Sequence, residues 1–162
     1  MDNRLSEITI ISGGQTGADQ AALDAAISLR IPHGGWICCG RKTEAGPLPA
    51  RYLLKEIESP RYRDRTEKNI LAADGTLIFC FGPPTGGTAL TEALATRHDR
   101  PCLRLDLDEI TETEAVAAIV SWLEEHNIRV LNVAGPRASS EPRIYGAVYS
   151  ILTNLPWEEH RP

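Results

Sequence analysis

The chain has 162 residues, of which 42% are hydrophobic and 24% charged, with a formal net charge of −5. That is the balance of an ordinary folded globular protein, and the length suits one three-layer α/β domain spanning 1–162. No apolar run approaches the ~18 residues of a membrane span, and Met1–Glu7 lacks the basic region and apolar stretch of a signal peptide. A cytoplasmic protein with no membrane partner is therefore expected. The four cysteines form no Cys-x-x-Cys pair and no His-rich spacing is present, so no structural zinc and no catalytic metal are predicted. Cys80 and Cys102 sit in strand-like runs, where cysteine acts as a small buried hydrophobe.

The charge is unevenly spread. Between Leu105 and Glu125 lie seven acids and no Lys or Arg; removing them from the 22 acids leaves 15 against 17 bases. Segment 41–65 carries Arg41, Lys42, Arg51, Lys55, Arg61, Arg63 and Arg65 against four acids. This pattern does not indicate bulk nucleic-acid binding. It allows a locally basic pocket on an acidic molecule, or simply solvated faces of both signs.

In chain order, Ile8-Thr9-Ile10-Ile11 reads as a strand buried on both faces. Gly13, Gly14 and Gly17 form a turn into a helix over about 16–30. Strand, glycine turn and helix make the first half of a βαβ unit. Such glycines can bring backbone amides close to a ligand, and the partly positive helix N-terminus points the same way, as an anion requires. The spacing is neither G-x-G-x-x-G nor a Gly-Lys-Ser/Thr loop, and a glycine turn alone also serves as a plain tight connection. Pro32-His33-Gly34-Gly35 ends the helix, and Trp36–Cys39 predicts a second strand. Pro49 suits the first turn of a helix continuing through 50–54. Segment 58–65 has little apolar pattern and is expected to cross the surface, followed by a short helix over 66–73.

Thr76–Phe81 reads as the next buried strand, and Gly82-Pro83-Pro84-Thr85-Gly86-Gly87-Thr88 turns into a helix over 89–98. A strand at 101–105 follows. Thr111 with Glu114 three residues on is a capping box, and Val116, Ile119, Val120 and Leu123 then form the stripe that faces the sheet. The last strand is 129–134. Gly135-Pro136-Arg137-Ala138-Ser139-Ser140 leads to a final helix starting near Pro142, with Ile144, Val148, Ile151 and Leu155 on one stripe.

This alternation predicts an α/β three-layer sandwich around a mostly parallel sheet of about five strands with right-handed crossovers. Ligands in such sheets sit beyond the carboxyl ends of the strands, which collects loops 12–19, 82–88 and 134–140 on one rim. A phosphate-bearing small ligand is the expected occupant. Thr85, Gly86, Gly87 and Thr88, after Gly82, supply amides and hydroxyls at a helix N-terminus, or a cap and a turn. Arg137, beside Gly135, Pro136 and Ser139, could fork onto a phosphate. Ser12, Gln15 and Thr16 offer uncharged hydrogen bonds or ordinary capping. Asp19 would repel a nearby phosphate, so it accepts from a ligand hydroxyl or N–H or stays outside the pocket. Glu92, one turn into its helix, is the carboxylate placed to act as a base there, with a solvated helix glutamate as the plainer reading. Arg63, Arg65, Thr66 and Asn69 are within reach of the rim. Trp36 suits the core better than a stacking platform.

Taken together, Ser12-Gly13-Gly14-Gln15-Thr16-Gly17-Ala18-Asp19, Gly35-Trp36, Gly40-Arg41, Arg65-Thr66, Asn69, Gly86-Gly87-Thr88-Ala89-Leu90 and Ala134–Ser139 resemble the putative molybdenum carrier family over about 8–155. The resemblance implies a Rossmann-like fold of the superfamily shared with DNA-processing protein A and the LONELY GUY (lysine-decarboxylase-like) phosphoribohydrolases. It also implies a carried ligand of molybdopterin (molybdenum-cofactor) or nucleotide type, and a homo-oligomer, dimer or tetramer. The phosphoribohydrolases carry Pro-Gly-Gly-x-Gly-Thr-x-x-Glu. Here Gly87-Thr88 is followed by Ala89-Leu90-Thr91-Glu92, one position late, which turns that side chain by about 100° and argues against the hydrolase. Cys38-Cys39 also stands where the resemblance to the putative molybdenum carrier family implies Cys-Pro-Lys. The expectation is a binding or carrier protein. Its alternatives are a phosphoribohydrolase using Glu92 or Asp19 on a nucleoside monophosphate, and a nucleotide-sensing module.

Overall fold

Residues 4–157 are described by a computed structural model; Met1–Asn3 of the N-terminal stretch lie outside them. Thr9–Ile11 (β1) leads through Ala18–Leu29 (α1) to His33–Gly34 (β2), which pairs back on β1 in parallel. Trp36–Ile37 (β3), Lys42–Thr43 (β4), Gly46–Pro47 (β5) and Lys55–Glu56 (β6) belong to two small accessory sheets, β3 with β6 and β4 with β5. Tyr62–Ala72 (α2), Gly75–Cys80 (β7), Gly86–Arg97 (α3), Cys102–Asp106 (β8), Glu112–Glu125 (α4), Val130–Ala134 (β9) and Ile144–Thr153 (α5) complete the chain. The main sheet has the order β2-β1-β9-β7-β8 and every pairing in it is parallel.

Helices cover both faces, α1, α4 and α5 on one and α2 with α3 on the other. The first layer is tight because α1 presents small residues. Ala18, Ala21, Ala22, Ala25 and Ala26 are fully buried against a cluster that holds Ile144, Val148, Ile151 and Leu152 of α5. All six residues of β7 are buried, as a central parallel strand requires. The α4 capping box forms as its spacing predicts, with the Glu114 amide donating to Thr111 Oγ1 over 3.1 Å. Ile119 and Leu123 are buried, and Val116 and Val120 pack on the same core.

Three elements differ from the pattern-based expectation. The second strand of the main sheet is His33–Gly34, not 36–39. At Gly35 (φ 124°) the backbone passes so close to β1 that a Cβ there would stand 2.1 Å from the Ser12 carbonyl oxygen, and the chain then leaves the sheet. No helix forms over 50–54. The Arg41 guanidinium donates to the carbonyls of Leu48, Pro49, Tyr52 and Leu54, taking acceptors that a helix would need. Helix α2 starts at Tyr62, ahead of the expected 66, with Asp64 in its first turn held by the Ser59 hydroxyl at 2.5 Å. No helix among the described residues is long and apolar enough to cross a membrane.

Candidate ligand cleft at the sheet switch point

Strand β7 feeds α3 on one face of the sheet, while its neighbour β9 feeds α5 on the other. Their connections diverge at the carboxyl ends of the strands and leave a crevice. A cleft of about 180 Å³ fills it, bordered by Gln15 and Asp19 from the first loop and helix and by Tyr62, Arg65 and Thr66 from α2. Thr85 to Thr88, Leu90 and Thr91 close the α3 side, and Ala134 to Arg137 with Ser140 close the fourth. A lobe of about 90 Å³ continues beneath Pro83, Pro84 and Phe81, sharing Thr85, Thr88, Pro136 and Ser140 with the main space. The three loops singled out by their place after parallel strands therefore meet at one rim.

The open anion position is at α3. Gly86 (φ 51°) starts the helix, the Thr85 side chain makes no capping bond, and the first-turn amides of Gly86 and Gly87 have no partner among the described residues. A Cβ at either glycine would meet nothing within 4 Å. Thr88 is buried at the mouth, while Thr91 returns its hydroxyl to the Gly87 carbonyl at 2.9 Å. Unpaired amides, a positive helix end and free space form the donor set that oxyanions use.

The α1 turn, by contrast, is closed by the protein itself. The Ala18 amide donates to the Pro136 carbonyl at 3.2 Å, and a Cβ on Gly17 (φ 84°) would stand 2.5 Å from that oxygen. The Gln15 amide donates to Asp19 Oδ2 at 3.1 Å. Gly14 (φ 77°) makes room for Ile37, Leu48 and Leu54, and Gly13 for the Arg65 guanidinium, so Gly13 borders only a small inner chamber. The Ser12 hydroxyl is fully buried, donating to the Asp19 carbonyl at 3.0 Å and accepting from the Gly14 amide at 3.3 Å. The glycines of the first loop serve packing, and of the two glycine turns expected to suit an anion the one at α3 has the open space.

Of the other expected site residues, Glu92, Gly82, Thr16 and Ser139 do not border the cleft, and Asn69 borders only the small chamber beneath it. Glu92 pairs with Arg104 of β8 at 2.7 Å and does not border the cleft. Asn69 clamps β3, donating to the Trp36 carbonyl and accepting from its amide, both at 2.9 Å. The Gly82 amide donates to Asp106 Oδ1 at 2.8 Å and its residue does not border the cleft. Thr16 and Ser139 sit just outside, both bound to Glu44, a residue that no spacing pointed to. Glu44 lies on the β4–β5 hairpin, 28 residues from Thr16 and 95 from Ser139. Tyr62, Leu90, Thr91 and Ser140 also join the cleft without a sequence signal beyond their neighbours. For Tyr62 the signal is the early start of α2.

Asp19 and Arg65 form the floor. Asp19 is buried, and the loss of water pushes its carboxyl up to about 6 from the ordinary 3.8, against the opposing pull of Arg65 and the Gln15 amide. Arg65 donates to the Gly13 carbonyl and the Thr66 hydroxyl, each at 3.3 Å, while its buried Nε has no partner. The two side chains share an inner chamber of about 20 Å³ with Thr66, Thr91 and Asn132, room for one water-sized group.

Residues 10–156 match the circularly permutated YpsA SLOG family. A solved structure described as a putative molybdenum carrier protein from Syntrophus aciditrophicus SB is 51% identical, with a TM-score of 0.90, over 91% of this chain and 93% of that one. The resemblance carried by the loop motifs is thereby met in both sequence and fold. No curated protein matches the chain.

Proposed function

The chain belongs to the circularly permutated YpsA SLOG family, and from that premise we propose that it binds and carries a phosphorylated heterocycle, of molybdopterin or nucleotide type, in the cleft between the β7 and β9 connections. One observation carries this reading: the amides of Gly86 and Gly87 have no protein partner at a helix N-terminus that borders the cleft, and Arg137 lines the same cleft. Phosphate fits that donor set, and Gln15, Asp19 and Thr66 supply neutral or anionic acceptors for the rest of the ligand. The named carrier relative supports a small-ligand role. Among the described residues no group of three His, Cys, Asp or Glu is placed to hold a metal ion. In this reading molybdenum arrives as cargo on its pterin, held through the pterin's phosphate.

At about 180 Å³ the cleft is smaller than the ~300 Å³ at which drug-sized sites begin. It encloses part of such a ligand and leaves the remainder at the rim, where a second copy of the chain would cover it. We therefore retain a homo-oligomer in the proposal. Tyr145, Leu53 and Ile27 stand exposed. All four cysteines are free, which suits the reducing cytoplasm.

One feature favours a second reading, a phosphoribohydrolase. Asp19 places a carboxyl that titrates near 6 inside the cleft, a usable acid or base. Incubation with nucleoside monophosphates, followed by chromatography for free base, separates the two. Intact nucleotide together with a co-purifying ligand seen by native mass spectrometry supports carriage; released base that disappears in Asp19→Asn supports hydrolysis.

A further inference from the structure

The outer rim of the cleft already holds an anion, and the protein supplies it. Glu44 stands at the tip of the hairpin formed by β4 and β5. Its carboxylate accepts from the Ser139 hydroxyl at 2.6 Å, from the Ser139 amide at 3.1 Å and from the Thr16 hydroxyl, with Arg137 Nη1 at 3.9 Å. An amide, two hydroxyls and a guanidinium converging on one carboxylate are the donors with which proteins hold phosphate. The same bonds, from Ser139 first and Thr16 second, hold the Glu44 carboxyl below its ordinary range, so the donor set selects an anion. Arg137 belongs both to this cluster and to the cleft wall, which makes the two spaces neighbours.

The hairpin is attached unequally. Its base is pinned by Arg41, whose guanidinium reaches four backbone carbonyls. Its two strands have two residues each and pair only with one another. The tip touches the rim through the Glu44 carboxylate and one bond from the Glu44 amide to Gln15 Oε1 at 3.0 Å. A competing anion on Ser139, Thr16 and Arg137 would thus free the tip without disturbing the base.

We propose that Thr16, Arg137 and Ser139 form a second oxyanion subsite, kept closed by the Glu44 carboxylate as a built-in competitor, and that a phosphate group displaces Glu44 to enter. The proposal rests on the reading of the cleft as a phosphate-ligand site, and it adds a self-inhibiting strap. The occupying phosphate belongs either to the ligand in the cleft or to free inorganic phosphate, since the donors are the same for both.

The test is calorimetric titration of inorganic phosphate and of AMP into the full chain, as wild type, Glu44→Ala and Glu44→Ala/Ser139→Ala. A strap predicts the unusual sign: removing an acid contact tightens binding about tenfold, and adding Ser139→Ala abolishes the gain. A gain for inorganic phosphate assigns the subsite to the free ion, and a gain for AMP alone assigns it to the phosphate of the cleft ligand. Glu44→Gln, which keeps an acceptor oxygen without charge, must change affinity in the same direction, with circular dichroism confirming the fold of each variant. If affinity falls or stays unchanged in both Glu44 variants, Glu44 only braces the rim and the strap is overturned. Should AMP bind wild type in a Gly87-dependent way without any Glu44 effect, the cleft reading stands and the strap alone fails. Should AMP bind no variant while inorganic phosphate gains in Glu44→Ala, the strap stands and the nucleotide form of the cleft reading fails.

Discussion

Asp19 Oδ2 lies 4.0 Å from Arg65 Nη1, near enough for two buried charges to attract and too far for a hydrogen bond. The attraction does not offset the loss of water around the carboxylate, so the carboxyl titrates near 6 instead of 3.8. A raised acid pKa makes the folded state bind its proton more tightly than the unfolded state does. Its effect on stability is nil below pH ~4, where both states are protonated, and is a full penalty above about 6.

Stability of the wild type should therefore fall, relative to Asp19→Asn, as pH rises from 4 to 7. Two pKa units correspond to about 3 kcal/mol. Asparagine keeps an acceptor for the Gln15 amide, so the comparison isolates the charge. Urea titrations of both proteins at several pH values measure the difference; a gap that is flat or widens in the opposite direction refutes the buried-charge account.

Gly86 and Gly87 should respond differently to valine. Gly86 alone has a positive φ, so Gly86→Val strains the backbone by about 1–3 kcal/mol and lowers the thermal midpoint. Gly87→Val meets no atom within 4 Å and should leave stability nearly unchanged. By filling the space over the amides it should nonetheless weaken AMP binding at least tenfold, the loss of about one charge-assisted hydrogen bond. Full affinity in Gly87→Val would place the ligand elsewhere.

Arg137→Ala should discriminate between AMP and adenosine. If Arg137 meets the phosphate charge, AMP loses several-fold more affinity than adenosine does. Equal losses in calorimetric titration would make Arg137 a structural brace for Glu44.

The exposed residues of α1, α5 and segment 50–54 predict self-association. Tyr145 stacks on Tyr149 with centroids 6.3 Å apart, and Ile27 and Leu53 also stand exposed. Aromatic residues of this kind are enriched at subunit contacts. Light scattering at micromolar concentration should report an even-numbered oligomer, reduced by Tyr145→Lys. A monomer near 18 kDa for the wild type would reject this.

By itself the sequence determined what depends on local pattern. Apolar runs such as Ile8–Ile11 and Thr76–Phe81 must be buried on two faces, and the helical stripes between them must cover a sheet, so a parallel α/β sandwich follows from periodicity. The Thr111–Glu114 cap follows from spacing within one turn. Strand-then-turn order was also enough to bring loops 12–19, 82–88 and 134–140 to one rim, because every strand of a parallel sheet ends on the same side.

Only the tertiary structure decided which turn is open. Both glycine turns look alike as sequence, yet Pro136, far along the chain, takes the Ala18 amide and crowds Gly17, while nothing stands within 4 Å of a Cβ at Gly86 or Gly87. The same long-range logic turned Glu92 onto Arg104, bound Asn69 to Trp36, brought Glu44 to Ser139 and let Arg41 take the carbonyls of 48–54. Each of these is a hydrogen bond or ion pair between residues too far apart in the chain to share a helical turn. Such a partner is set by how the layers pack rather than by any neighbour in the chain, which is why no local pattern announces it.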